Sequence, residues 1–491
     1  MTSVAASRPQ LAPFARLRPD PLGGDALLVY PERALRLNAT AERIVALCTG
    51  ELSADDIAER MLEAFPDAQG ASVRAAVRRV LAALAREGLL RDADTGSDAG
   101  EPPFESLHAG VSRAESDARE LDAAPGRPYT LIAELTYACP LRCAYCSNPT
   151  DWASQGAQLP SPHWVRVFRE AAALGVVQLH LTGGEPALRR DLTALVAAAH
   201  EQSLYVNLVT SGVPVTREQV QALRAAGLSH VQLSIQDVDR EAAARVAGRS
   251  YLDEKIAVAT WVKEAGLALT VNVVLHGGNI ERIPELVALA ERLQADRLEL
   301  AHVQYLGWAL RNRSQLLPSR QQIETAGLQV RHARHRLGGR LPIAHVMPDY
   351  YSGTPRACMD GWGKHYIVVG PDGAARPCHA AHQLGLETWN VQERSLEEIW
   401  QRSPLFNAFR GQGWMLAPCR TCPERARDHG GCRCQAHALT HEAKNADPAC
   451  ALAPDHGLIQ AAIRRRGQQA LPFELRTAGG PVQSSAADRD E

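Results

Sequence analysis

An α/β architecture is what this sequence predicts: a partial (β/α)6 barrel, preceded by a small winged-helix-like α+β unit and followed by a cysteine-rich unit. Three observations carry that expectation. Between residues 128 and about 340, six apolar strand candidates alternate with helical stretches, the pattern of a parallel sheet with right-handed crossovers. Ahead of them, over 15–93, short strand signals precede three amphipathic helical patterns. Beyond them, seven of the eleven cysteines gather between 358 and 450. Six β/α units suit a partial barrel; from alternation alone a doubly wound open sheet fits as well.

The elements follow in order. "DALLVYPERALRLN" reads as two short strands around a "PER" turn. In "NATAERIVALCTG", Asn38 or Thr40 can cap a helix that ends before Gly50. "SADDIAERMLEAF" begins with capping chemistry at Ser53, and Asp56 three positions on is a weaker partner than Glu. "ASVRAAVRRVLAALAREGLL" is the third amphipathic helix. Cys48 falls on the apolar face of the first helix and is expected to be a buried, inert thiol. Residues 94–127, rich in Ala, Asp, Glu, Gly, Pro and Ser, read as a linker. As a flexible coil it would span roughly 30–35 Å and hold its flanking units at an effective concentration on the order of millimolar. The barrel strands are read at "YTLIAEL", "VVQLHLT", "YVNLVT", "HVQLSI", "LTVNVVL" and "RLELAHVQ". The last stretch, 476–491, is polar and expected to be disordered.

Composition excludes several classes. A chain of 491 residues has room for two to four domains, and 45% hydrophobic with 22% charged residues is ordinary for a soluble globular protein. A formal net charge of −2 offers no basic field for nucleic acid. No apolar run approaches the roughly 18 residues that cross a bilayer, so no membrane partner is expected. The start, "MTSVAASRPQLAPFARLRPD", has no apolar core of the secretory kind. A cytoplasmic location is therefore expected, and in a reducing compartment clustered cysteines point to metal rather than disulfides.

Metal chemistry is sharpest in "ELTYACPLRCAYCSNP", residues 134–149, where Cys139, Cys143 and Cys146 stand at spacings of four and three. Structural zinc takes four closed ligands, and the next histidine, His163, is seventeen residues on. An all-thiolate set of three is an unusual choice for catalytic zinc. A [4Fe-4S] cluster held by three thiolates leaves one iron open to a small chelating molecule. The segment follows the first strand, at the end where barrel active sites are built.

C-x3-C-x2-C with Tyr145 before the third cysteine resembles the radical S-adenosylmethionine superfamily. The resemblance implies that S-adenosylmethionine chelates the open iron and is cleaved by one electron to a 5′-deoxyadenosyl radical. "GGEP", comprising Gly183, Gly184, Glu185 and Pro186, is similar to the superfamily's motif for the methionine amino group. "TSG" supplies Thr210 and Ser211 after strand three, and "SIQD" supplies Ser234, Gln236 and Asp237 after strand four. There the resemblance implies contacts to ribose and carboxylate; each motif alone also fits a tight turn or a capped helix start. Asn272, Asn279 and Tyr305 are candidates for the cofactor or substrate wall, with core or turn roles equally open. No substrate-side acid or base is singled out.

"VVGPDGAARPCHAA" reads as a hairpin turning at "PDG", with Gly373 five residues before Cys378. With Cys358 before it and "CRTC" after it, the segment 341–475 is similar to the SPASM extension of radical enzymes, which implies two auxiliary iron–sulfur clusters. Eight ligands are needed, and seven thiols are present: Cys358, Cys378, Cys419, Cys422, Cys432, Cys434 and Cys450. The family spacing C-x2-C-x5-C-x3-C puts Asp428 where a thiolate is expected; a solvated surface acid beside Arg427 is the other reading. As a harder ligand, a carboxylate would alter that cluster's potential. By this resemblance Cys419, Cys422, Asp428 and Cys450 surround a distal cluster, and Cys358, Cys378, Cys432 and Cys434 one nearer the barrel. Two zinc ribbons are the alternative, with poor spacing.

Together with "LSIQD", "LAHVQYLGWALRNR" and "GGCRCQA", these motifs resemble, over roughly 128–475, the PqqE family of pyrroloquinoline quinone biosynthesis. "YPERALRLNATAERIVALCTGE" resembles the PqqD family of peptide-binding chaperones, so the chain reads as a natural fusion. The resemblance implies an oxidoreductase that joins a glutamate side-chain carbon to a tyrosine ring within the precursor peptide PqqA. It implies leader capture by strand addition to the N-terminal sheet. It also implies a low-potential electron donor such as a flavodoxin, because the initiating cluster works near roughly −700 mV. The alternatives are another SPASM-type peptide maturase, of the sulfatase or thioether kind, and a non-catalytic metal-bound peptide-binding scaffold.

Overall fold

A computed structural model describes residues 8–20, 26–30, 33–93, 126–150, 158–467 and 472–476. Most of the expected linker, 94–125, and the tail beyond Arg476 lie outside the described residues. Among the described residues no helix is long and apolar enough to cross a membrane.

In the N-terminal unit β1 (Pro9–Leu11) pairs antiparallel with β5 (Leu90–Asp92). The strands β2 (Arg16–Arg18), β3 (Ala26–Tyr30) and β4 (Arg33–Leu37) form an antiparallel sheet with β3 central. Helices α1 (Ala39–Ala46), α2 (Ala54–Ala64) and α3 (Gly70–Arg86) pack on one another and, through α1, on that sheet. Asn38, not Thr40, caps α1 by accepting from the Ala41 amide at 2.9 Å. Asp56 does complete a capping box with Ser53, its carboxylate accepting from the Ser53 amide at 2.8 Å. Cys48 lies just past α1, buried, with its thiol on the Ile44 carbonyl at 3.2 Å and pushed by burial up to about 12.

All six barrel strands form: β6 (Thr130–Thr136), β7 (Gln178–Gly183), β8 (Tyr205–Thr210), β9 (His230–Ser234), β10 (Ala268–Leu275) and β11 (Arg297–His302). Each pairs parallel with the next in order, with helices α4 (Ser161–Ala173), α5 (Leu192–Glu201), α6 (Arg217–Ala225), α7 (Arg240–Ala247), α8 (Leu252–Glu264) and α9 (Ile283–Arg292) between them. The sheet is longer than six strands. β12 (Ile343–Val346) adds in parallel beyond β11, although it lies past residue 340; four residues are too few to show alternation in the sequence. At the other edge β13 (Tyr366–Val369) runs parallel to β6 and turns back through Gly373 to β14 (Ala375–Arg376). The cysteine-rich unit is therefore built onto the barrel sheet rather than beside it.

Alternation along the strands sorts the side chains. Leu131, Ala133, Leu179, Leu181, Val206 and Leu208 join the helices in one apolar core. The other face is polar: His180 meets Asn207 at 3.0 Å, Asn207 meets His230 at 2.7 Å, and His230 meets Thr270 at 2.8 Å.

The N-terminal unit is docked against the N-terminal ends of these strands, opposite the cysteine loop. Leu27 and Val29 pack on Val177 and Tyr205, and the Tyr205 hydroxyl donates to the Phe14 carbonyl at 3.0 Å. Arg127 bonds Asp20 at 2.7 Å. Buried Asp296 accepts from Arg91 at 3.1 Å, from Lys263 at 2.6 Å and from the Leu269 amide at 2.8 Å. A charged hydrogen bond of this kind contributes about 1.5–3 kcal/mol. Asp296→Ala is therefore expected to raise hydrogen–deuterium exchange in 26–37 by roughly 30-fold, about 2 kcal/mol, where local opening follows undocking. Unchanged exchange there would show that Asp296 does not hold the interface.

A second expectation concerns acid. His302 and His345 sit buried with their Nε2 atoms 3.4 Å apart; burial, reinforced by nearby positive charge, pushes them down to about 3 and about 4. Unfolded, each binds a proton below about 6.5, so the unfolded state takes up more protons as pH falls from there towards 4. Folding stability is then lost by up to about 1.4 kcal/mol per pH unit for each histidine. The double change His302→Gln, His345→Gln is expected to flatten the fall of the urea midpoint between pH 6.5 and 4.5. An equally steep fall would refute the assignment.

Candidate radical cofactor site and auxiliary cysteine groups

Four motif-bearing loops leave the C-terminal ends of β6, β7, β8 and β9 and surround one cavity of about 240 Å³. Cys139, Cys143 and Cys146 line it with Tyr145 from the first loop. Gly183 and Gly184 line it from the second, Thr210 and Ser211 from the third, Ser234 and Gln236 from the fourth, and Asn272 from β10. The glycines are dictated by contact: a Cβ on Gly183 would lie 2.2 Å from the Thr136 carbonyl oxygen, and one on Gly184 2.2 Å from that of Ala138. The second loop thus lies directly on the backbone that leads into the cysteine loop, and the Glu185 amide donates to the Ala138 carbonyl at 2.8 Å.

Glu185 is fully buried. One carboxylate oxygen accepts from the Thr210 hydroxyl at 2.7 Å and the Ala187 amide at 3.0 Å. The other accepts from the Ser211 amide at 2.7 Å and from the Ser211 hydroxyl. Burial outweighs these bonds and leaves its pKa above the usual carboxylate value. Burial and mutual repulsion likewise push the free thiols up, Cys143 to about 12, so an incoming metal must displace their protons.

Four sequence-derived candidates stand elsewhere. Asp237 turns away from the cavity to Arg282, which donates to it at 2.7 Å, and to the Asp239 amide at 3.1 Å. Asn279 fixes the turn after β10, donating to the Gln236 and Val274 carbonyls and accepting from the His276 amide at 2.9 Å. Tyr305 is a core residue, 4.8 Å from the Tyr350 ring. Pro186 begins a short turn, Pro186–Leu188, and is buried outside the cavity lining.

Two cations escaped the sequence reading. Lys255 of α8 is buried, and its ammonium donates to the Ser211 and Ser234 carbonyls, each at 2.7 Å, which ties the third loop to the fourth. Burial lowers it to about 8. In the sequence it is one charge on an otherwise ordinary helix, and nothing marks it. Arg476 lines the cavity, buried, though 476–491 reads as a disordered tail; its first residue returns to the barrel, where its amide donates to the Arg142 carbonyl at 3.2 Å.

At the β13–β14 edge, Glu134 of β6 accepts from His379 at 2.6 Å and from the Tyr137 hydroxyl at 2.8 Å. Burial pushes Glu134 up, but these bonds prevail and hold it below the usual carboxylate value. His379 follows Cys378, so this pair links the first barrel strand to the cysteine-rich unit.

There the thiols fall into two groups. The free thiols of Cys358 and Cys434 each lie within hydrogen-bonding reach of those of Cys378 and Cys432. Cys419, Cys422, Cys450 and Asp428 lie close enough to feel one another's charge. Asp428 is buried and accepts from the Gly430 amide at 2.8 Å, whereas exposed Arg427 pairs with Glu424. The surface-acid reading of Asp428 is thereby overturned. Among the described residues no three His, Cys, Asp or Glu side chains converge on a point as a single ion requires. A polynuclear cluster spreads its thiolates over several irons, and the donor set suits it.

Comparison with known proteins agrees with this geometry. Residues 133–290 match the family described as Radical SAM superfamily, 25–90 match Coenzyme PQQ synthesis protein D, and 358–423 match the SPASM iron–sulfur cluster-binding domain. A PqqA peptide cyclase of Methylocella silvestris is 49% identical over 350 residues, 71% of this chain and 94% of that protein. PqqA peptide cyclases of Granulibacter bethesdensis and Streptomyces rochei are 48% and 49% identical over 354 and 343 residues, covering 95% and 94% of those proteins and 72% and 70% of this chain. Among solved structures, Streptococcus suis SuiB bound to its precursor peptide SuiA matches with a TM-score of 0.60 at 16% identity, covering 90% of this chain and 99% of that one. At that identity the likeness shows the fold.

Proposed function

The chain belongs to the PqqA peptide cyclase family of radical S-adenosylmethionine enzymes, and we propose that its substrate is the precursor peptide PqqA. In this reading it joins a glutamate side-chain carbon to a tyrosine ring of that peptide, a step of pyrroloquinoline quinone biosynthesis. The observation that carries the proposal is the meeting of four motif loops at one cavity in a chain that also contains a PqqD-like unit.

Cys139, Cys143 and Cys146 would hold a [4Fe-4S] cluster; with S-adenosylmethionine bound, it supplies a 5′-deoxyadenosyl radical able to take a hydrogen atom from the peptide. The protein's own part is positional. Glu185 clamps the third loop to the second, and Lys255 fixes the carbonyls of Ser211 and Ser234, which leaves Ser234 and Gln236 presented to the cavity. Gly183 and Gly184 bring the second loop against the cysteine loop. Cys358, Cys378, Cys432 and Cys434 would hold one auxiliary cluster, and Cys419, Cys422, Asp428 and Cys450 the other. The N-terminal sheet would take the leader as an added strand. A cytoplasmic low-potential protein such as a flavodoxin would supply electrons.

The test is anaerobic: protein reconstituted with iron and sulfide, S-adenosylmethionine, a strong reductant and PqqA peptide, with the peptide weighed by mass spectrometry. Loss of two hydrogens, with fragmentation blocked between the glutamate and the tyrosine, is the expected result. An unchanged peptide beside accumulating 5′-deoxyadenosine would leave the radical chemistry and discard the substrate.

A further inference from the structure

The C-terminal segment is fastened across the cysteine loop. The Asn312 side chain accepts from the Glu474 amide at 2.8 Å and donates to the Glu474 carbonyl at 2.9 Å. It also donates, at 2.9 Å, to the Ala144 carbonyl inside that loop. Arg142 of the same loop donates from Nε to the Arg476 carbonyl at 3.0 Å, and its own carbonyl accepts from the Arg476 amide. Phe473 and Leu475 pack in one apolar cluster with Leu141 and Ala144. This strap brings Arg476, only 1% exposed, into the wall of the cavity that Cys139, Cys143 and Cys146 also line. Its guanidinium donates to the Tyr137 carbonyl, the same oxygen that a Cβ on Gly184 would approach to 2.6 Å, so it stands where the first and second loops touch. Among the described residues that line the cavity, Arg476 alone carries a positive charge. Lys255 is outside the lining and turned to the Ser211 and Ser234 carbonyls. The carboxylates of neighbouring elements are engaged by other donors: Glu185 by Thr210 and Ser211, Glu134 by His379 and Tyr137, Glu474 by Arg311.

We propose that Arg476 binds the carboxylate of S-adenosylmethionine, a cofactor-binding residue that the C-terminal strap delivers to the cavity. The inference rests on the reading that S-adenosylmethionine occupies this cavity. That molecule is cationic at its sulfonium and its amino group and anionic only at its carboxylate. Three thiolates in the wall attract the first two groups and repel the third, so the carboxylate needs a cation where it is buried. A guanidinium has five N–H donors in a planar fork, enough to keep the Tyr137 carbonyl and hold carboxylate oxygens as well. A glutamate of the peptide substrate carries the same chemistry. The cofactor is the better match, because Arg476 bonds the chain that leads into the cysteines, where a molecule on the open iron lies.

The experiment is titration calorimetry on the reconstituted full chain, without turnover. It compares S-adenosylmethionine with its decarboxylated analogue, which keeps the sulfonium, the adenosine and the amino group, each at concentrations that saturate wild type. Arg476→Gln is expected to weaken S-adenosylmethionine by roughly 10- to 100-fold and to leave the analogue within about 2-fold of its wild-type affinity. Equal weakening of both ligands would overturn the proposal, since a strap that only shapes the wall, or a guanidinium that serves only the cysteine loop, does not distinguish them. Unchanged affinity for S-adenosylmethionine would overturn it too, and a loss confined to PqqA peptide would assign Arg476 to the substrate glutamate instead. Affinity is read per loaded site, so lower iron uptake changes the stoichiometry and not this comparison. If Arg476→Gln keeps no iron, Arg476→Lys is read in its place, because a point charge retains part of the pair. A loss of roughly 3- to 10-fold, again confined to S-adenosylmethionine, then supports the assignment, and equal losses refute it. Wild-type protein that carries iron at its first cysteine group yet binds no S-adenosylmethionine would instead refute the cofactor reading beneath the proposal.

Discussion

Cys143→Ala is expected to abolish cleavage of S-adenosylmethionine while leaving most of the iron in place. Three thiolates are the minimum that holds a four-iron cluster with one iron open, and two do not retain it against loss to solvent. The expected loss is about four irons per chain and at least about 1,000-fold in 5′-deoxyadenosine formation. Cys139 and Cys146 predict the same result, since all three thiols face the same cavity. The auxiliary groups share no residue with that cavity, so their iron should remain. Cys48→Ala is the internal control, because that thiol is buried in the N-terminal core and bonded to a carbonyl. A Cys143→Ala protein that still formed 5′-deoxyadenosine at a tenth of the normal rate would exclude this loop as the radical source.

Much of this was legible in the sequence, and for a physical reason. Thiolate spacing is set by the ligand geometry of a cluster, so C-x3-C-x2-C survives as a local pattern whatever surrounds it. Short segments with apolar residues at alternate positions, each followed by a helical stretch, read as β/α units whatever stands on the other face, which is why all six barrel strands were placed. What escaped was what depends on the chain folding back. Lys255 sits on α8 and works on loops that end at Ser211 and Ser234, a contact no local pattern announces. Arg476 lies in a polar stretch whose composition says disorder, yet it closes the cavity from far along the chain. Asp237 is placed in the site by motif order, whereas in the structure its carboxylate pairs with the half-buried Arg282 outside the cavity lining. Docking of the N-terminal unit likewise lives in pairs such as Arg91 with Asp296, about two hundred residues apart, and a linker's composition says nothing of it.

Glu185→Gln, nearly isosteric, is expected to weaken S-adenosylmethionine binding by roughly 10- to 100-fold, equivalent to about 1.4–3 kcal/mol, with iron content unchanged. The reason lies in the donors around the carboxylate. One of its oxygens faces the Ala187 amide and the other the Ser211 amide, and a backbone N–H cannot reverse its polarity. Whichever way the glutamine amide is turned, its NH2 group meets one of those N–H groups, so a buried donor is left unmatched. The hydroxyls of Thr210 and Ser211 can rotate to accept, but the amides cannot follow. The loop that carries Thr210 and Ser211 then loses its anchor to the loop that carries Gly183 and Gly184, and the cavity wall between them slackens. Titration calorimetry on reconstituted protein reads this directly, since it reports cofactor affinity without turnover. Wild-type affinity in Glu185→Gln would mean that the four bonds merely fill space. Weak affinity with full iron would separate the residues that grip the cofactor from those that hold the metal, a division that cysteine variants cannot make, because they remove both at once.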